Sequence, residues 1–99
     1  MIGRRVATLA EIERPGDYCG PIKGYTGDKE ACFYILPTCP ASEEHGRHLS
    51  HIAFPPHTYR ECPDGSLEIR NSILHHESIR CPGDGWHGYL DEGHSWRQA

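Results

Sequence analysis

Eight histidines and five cysteines in 99 residues are the side chains best able to do chemistry in this chain. Neutral imidazole and thiolate are the usual ligands of zinc at tetrahedral geometry. The candidate ligands are Cys39, Cys81 and His87, with one of His45, His48 or His51 as a fourth. The cysteines stand at positions 19, 32, 39, 62 and 81, without the Cys-x-x-Cys pairs of a zinc finger or ribbon. The plainer alternative gives His87 a hydrogen bond within a hairpin and leaves the other histidines in solvent. A thiol nucleophile would pair Cys81 with His87, with no local signature to mark it. The adjacent carboxylates Glu43-Glu44 and Asp91-Glu92 fall at an expected helix start and a turn tip, where charge is ordinary.

The second chemistry is recognition. Five Tyr and two Trp outnumber two Phe, and eight of the ten basic residues are Arg. Tyr and Trp offer a flat face with a polar edge, and Arg pairs in bidentate fashion with phosphate or carboxylate. Trp86 and Arg70 are the candidate ligand-binding residues, with His87 close by and Tyr25 as a lid. The alternative has Trp86 and Trp96 facing each other across a hairpin as core. The Arg bias also follows from GC-rich coding. The glycines of Asp17–Lys29 match neither a dinucleotide fingerprint nor a Walker loop, so a flexible connector competes there with an anion cradle.

These side chains need elements to position them. Cys62-Pro63-Asp64-Gly65 has the composition of a tight turn, with Pro setting φ and Gly at the exit. Ser66 to Arg70 alternates apolar and polar residues, so Leu67, Ile69 and Ile73 can share one face of a strand. His57 to Glu61 is its antiparallel partner. Trp86 to Leu90 and His94 to Arg97 flank Asp91-Glu92-Gly93, a three-residue hairpin loop with Gly at its end. Arg5 to Ile12 reads as a first strand and Asp17 to Lys29 as a loop. Ala31 to Leu36 is a buried strand, with Cys32 a small hydrophobe within it. Ala41 to Ile52 is expected to be helical, capped by Ser42.

The run from Asp64 to Ile73, followed by Cys81 and by Gly85-Trp86-His87-Gly88-Tyr89-Leu90-Asp91-Glu92-Gly93, resembles a family of short bacteriophage proteins. Some of its members carry the automatic label ammonia monooxygenase. The likeness extends from Phe33 to Trp96 and rests chiefly on the Trp-His-Gly-Tyr-Leu motif. It bears on origin and fold more than on activity. Many of those proteins carry a Cys-Pro-Cys-Gly-Cys cluster where this chain has only Cys39, and Pro where it has Asn71.

Only 17 residues are Ile, Leu, Val or Phe, against 11 Gly and 8 Pro. The expected fold is therefore mainly β: a small antiparallel β domain of five or six strands with at most one short helix. A core so thin calls for a partner, and a homo-oligomer is expected. A net charge of −4 without a basic stripe argues against binding a nucleic acid polymer. The absence of a signal-peptide pattern or a membrane-length apolar run points to the cytoplasm, which the resemblance implies is that of an infected bacterium. The function favoured, resting mostly on the resemblance, is non-catalytic: a small phage-type protein that counteracts host defence by sequestering a small anionic, nucleotide-derived signal. A metal-supported protein-interaction module and a small hydrolase of such a signal are the alternatives.

Overall fold

The computed structural model describes residues 1–37, 49–75 and 85–99. Strands β1 (Arg4–Arg5), β2 (Asp17–Thr26), β3 (Lys29–Ile35) and β4 (Leu49–Phe54) form one sheet in that order. Strands β5 (Thr58–Glu61), β6 (Leu67–His75), β7 (Trp86–Asp91) and β8 (Ser95–Gln98) form a second. All neighbours are antiparallel except β1 and β2. The fold is mainly β, with eight strands among the described residues rather than five or six. Among the described residues no helix is long and apolar enough to cross a membrane.

A single core joins the two sheets. Tyr18, Cys32, Tyr34 and Ile35 from the first meet Leu67, Ile69, Ile73, Trp86, Leu90 and Trp96 from the second. Aromatic rings supply much of it: Trp96 packs edge-on to Trp86 at 5.8 Å between centroids and tilted against Tyr34 at 5.4 Å. The N-terminal arm runs beside β8 before joining the first sheet. Gly3 N–H donates to His94 O, and Met1 and Trp96 exchange backbone bonds. Arg5 then clips the sheets together, its guanidinium bonding Glu61 at 2.6 and 2.8 Å and the Gly20 carbonyl at 2.7 Å.

The hairpins form where turn chemistry announces them. Gly65 N–H donates to Cys62 O, and Thr58 to Glu61 pair in register with Arg70 to Leu67. Leu67, Ile69 and Ile73 all face the core. They do so across a bulge in β6, where Asn71 takes φ 62° and four residues span what two span on β7. The last hairpin is offset by one residue from expectation. Asp91 pairs with Ser95, so Glu92, Gly93 and His94 make the loop, with φ 83° at Gly93 and 59° at His94.

Other expectations are corrected. Arg5 to Ile12 is not one strand: β1 ends at Arg5, and Leu9–Glu11 is a 3-10 turn that leaves only Val6 and Ile12 buried. The stretch from Asp17 is not a loop but the ten-residue strand β2, whose irregular register absorbs its glycines and proline. Gly20 is required there, because a Cβ would stand 2.8 Å from the Cys32 Cα. Asp17 anchors the strand's start, accepting from the N–H groups of Glu13 and Arg14 and from Arg4. Burial alone would raise its pKa, but these donors outweigh it and hold the carboxyl below its ordinary range. The expected helix over Ala41 to Ile52 gives way to a strand at its C-terminal end. Leu49–Phe54 is β4, in which Ile52 and Phe54 turn inward with strand period. The remainder of that segment lies outside the described residues.

A Cβ added at Gly93 would meet no atom within 4 Å, so any penalty for replacing this glycine is the backbone's alone. Gly93→Val should therefore lower stability by about 1 kcal/mol or more, while Gly93→Asn should cost less. Thermal melts of the two variants check this, and an unchanged melting temperature for the valine variant contradicts it.

Candidate functional site

Strand alternation sorts the polar side chains of the second sheet onto its outer face. Arg60, Glu68, Arg70, His87, Tyr89, Asp91 and Arg97 point away from the core formed by their sequence neighbours. Tyr89 and Arg97 are direct cross-strand partners, and the guanidinium carbon lies 4.3 Å from the ring centroid. Arg97 also bonds Asp91 at 2.8 Å. Arg70 stands 2.9 Å from Glu68 and 3.6 Å from Asp91. Arg60 is 3.5 Å from both Glu68 and Glu92. Three guanidinium groups thus alternate with three carboxylates, all three cations being half exposed. An anion seeking Arg70 must compete with Glu68 and Asp91.

Trp86 lies on the opposite, inner face. It is 4% exposed, and with Trp96, Met1, Pro37 and Gln98 it bounds a cavity of about 350 Å³. The two tryptophans do meet in the core, edge to face at 5.8 Å, but not as direct cross-strand partners: Trp96 pairs with Leu90, and the Trp86 ring reaches it over Gly88. Arg70 and His87 share the outer face with Tyr89, but no one surface of a single chain holds Arg70 together with Trp86. Tyr25 belongs to β2, with its side chain outside the described residues. Cys39, Cys81, His45 and His48 also lie outside them, while His87 and His51 are exposed on strands β7 and β4.

A third cluster, without a marker in the sequence, sits where the two turns of the second sheet meet β2. Tyr18 Oη accepts from Leu67 N–H at 3.2 Å and lies 2.6 Å from His94 Nδ1. The geometry lets the phenol donate to that nitrogen. Ser66, fully buried, donates its hydroxyl to Asp64 and accepts from Gly93 N–H at 2.9 Å. The side-chain and backbone bonds from Ser66 hold the Asp64 carboxyl below its ordinary range. Cys62 Sγ and the carboxylates of Asp64 and Glu92 place their ligand atoms within 4.8 Å of one another. The sequence marks both turns but not their meeting, which depends on the register of β6 against β7.

Ser, His and Asp stand close here without forming a nucleophilic relay. The Ser66 proton goes to Asp64, and His94 Nδ1 is taken by Tyr18. Burial raises the Cys19 thiol and pushes Cys32 up to about 12, which keeps both protonated and unreactive at neutral pH. Compared with family models, curated proteins and solved structures, the chain matches none.

Burial pushes the Tyr18 phenol up to about 12, whereas an unfolded chain releases that proton near pH 10. Between those values the native state holds a proton that the unfolded state has lost, so stability should fall as pH rises from about 10 to 12. Tyr18→Phe should flatten part of that fall. It should also destabilise the protein by about 1–3 kcal/mol near neutrality, because the buried Leu67 N–H loses its acceptor. Denaturant titrations at neutral and alkaline pH check both effects.

Proposed function

We propose that this chain is a non-catalytic binding protein that takes a small ligand in the recess beside Trp86 and Trp96. The supporting observation is the recess of about 350 Å³ lined by Met1, Pro37, Trp86, Trp96 and Gln98. Small-molecule sites are mostly apolar clefts of roughly 300–1,000 Å³ with a few polar groups that fix orientation. The ligand class we propose, a nucleotide-derived signal that a phage gains by sequestering, is the expectation carried over from the resemblance to short phage proteins. A ligand of that class also carries phosphate, for which Arg70 is the matching side chain. Because Arg70 and Trp86 occupy opposite faces of the second sheet, a site that uses both is assembled from two copies of the chain. That arrangement also gives the thin core the partner it calls for.

A second reading, a protein-docking module, draws on the outer face. There Arg60, Arg70 and Arg97 alternate with Glu68, Asp91 and Glu92 across the four strands of the sheet. Charge laid out in this way favours a complementary surface over a small molecule.

Calorimetry and intrinsic tryptophan fluorescence against cyclic dinucleotides and ADP-ribose derivatives test the first reading. Binding should shift the fluorescence, and Gln98→Ala should weaken it without unfolding the chain, because Gln98 is exposed on the short strand β8. In a two-copy site Arg70→Ala weakens binding as well, and native mass spectrometry reports a dimer or larger. Ligand released intact on heating is expected of a sponge, and cleaved ligand of a hydrolase. No heat and no fluorescence change with any compound at micromolar to millimolar concentration overturns the reading in favour of the docking module.

A further inference from the structure

We propose that Cys62, Asp64 and Glu92 form a binding site for a divalent transition metal, zinc by donor chemistry, where the two turns of the second sheet meet. The site shares no residue with the tryptophan recess or with the Cys39, Cys81 and His87 set. Its three ligand atoms lie within 4.8 Å of one another. Donors around tetrahedral zinc stand about 3.3–3.8 Å apart, given metal bonds of about 2.0–2.3 Å. The set would therefore have to close by roughly 1 Å to hold the ion.

The thiol is an observation independent of the two carboxylates. Cys62 is 6% exposed, and its thiol donates a hydrogen bond to the Arg60 carbonyl at 3.8 Å, which metal binding would replace. No donor among the described residues bonds the sulfur, which faces two carboxylates. Such a buried sulfur between oxyanions is suited to a cation. The exposed Asp64 and Glu92 give that cation a path in from solvent and leave room for water as a fourth ligand. The thiolate selects zinc or cobalt over magnesium or calcium. Binding converts the thiol to a metal thiolate and releases its proton to solvent, so affinity rises with pH.

The framework is set in advance. Cys62 O accepts from Gly65 N–H, and Cys62 N–H donates to Ser66 O, which fixes the turn that carries two ligands. Both side-chain and backbone bonds from Ser66 fall on Asp64 Oδ1, leaving Oδ2 to turn to the metal. Gly93 N–H bonds the same Ser66 hydroxyl, so the loop bearing Glu92 is bolted to the turn bearing Cys62 and Asp64. Outer bonds of this kind orient metal ligands and limit what the site must reorganise. Arg60 is the competing cation, 3.5 Å from Glu92, but it is half exposed and also reaches Glu68. Metal binding moves its guanidinium to Glu68 alone.

Cobalt titration of the chelator-stripped 99-residue chain tests the site. A single cobalt ion should produce a sulfur-to-cobalt charge-transfer band that zinc abolishes by displacement. Cys62→Ser should remove the band while circular dichroism shows the fold intact, and Glu92→Gln should weaken cobalt binding at least about tenfold. The double variant Cys39→Ser/Cys81→Ser should keep both band and affinity. A missing band, a band that survives Cys62→Ser, or a band lost in the double variant overturns the proposal. The last result would move the metal to the Cys39 and Cys81 set.

Discussion

The phenol of Tyr18 ties the two sheets together. Its ring is buried in the first sheet's contribution to the core, and its oxygen meets the backbone of β6 and the imidazole of the β7–β8 loop. Trp96 repeats the arrangement from the other side, its indole N–H donating to the Gly16 carbonyl at 2.8 Å. The two rings meet edge to face at 6.1 Å. A chain with so few aliphatic residues cannot hold two sheets by burial alone. It uses large aromatic bodies for area and their polar edges for register, so each bond across the interface also fixes how one sheet sits on the other. The short β1 and the irregular β2 survive because their neighbours are held in this way.

The last third of the chain is its most legible part because its turns carry local instructions. The Cys62 to Gly65 turn and the Gly93 loop name their own backbone angles, and Leu67 and Ile69 declare a face. Even so, His94 at φ 59° shifts the final loop by one residue, since a positive φ is uncommon for any non-glycine residue, although His adopts it more readily than most. The first third misleads for the opposite reason. Gly20, Pro21 and Gly24 look like a connector, yet β2 runs through them by slipping register against β3. Its instruction is tertiary: Gly20 is needed for close approach to Cys32, which no local pattern reveals. β4 hides inside an expected helix because histidines three apart mimic a helical face, while only Ile52 and Phe54 carry the strand period.

The same distinction governs the site residues. Placing Arg70 and His87 on a solvent face needs only alternation, and Trp86 then turns inward beside Trp96 by that rule. That they cannot converge within one chain follows from parity along β6 and β7. The turn-tip cluster is invisible for a different reason. Cys62, Asp64 and Ser66 are far in sequence from Glu92 and Gly93, and each alone reads as ordinary turn chemistry. Only the pairing of Ile69 with Leu90 brings the two turns to one end of the sheet.

That pairing also separates the two ends of the second sheet. β5 accompanies β6 as far as Arg70, and the bulge at Asn71 follows immediately before pairing with β7 resumes at Ile73. The inserted residues are even in number, so Ile69 and Ile73 keep the same face while the strand bends between them. At one end, the bonded turns present thiol and carboxylates in a framework with little freedom. At the other, Trp86 and Gln98 bound an aromatic recess beside strands that end there. Both sheets share one core, so a second chemistry has no separate core to stand on. An interrupted ladder instead provides two differently built ends of one sheet, and Trp96 both lines the recess and bonds Gly16 next to the strand that carries Tyr18.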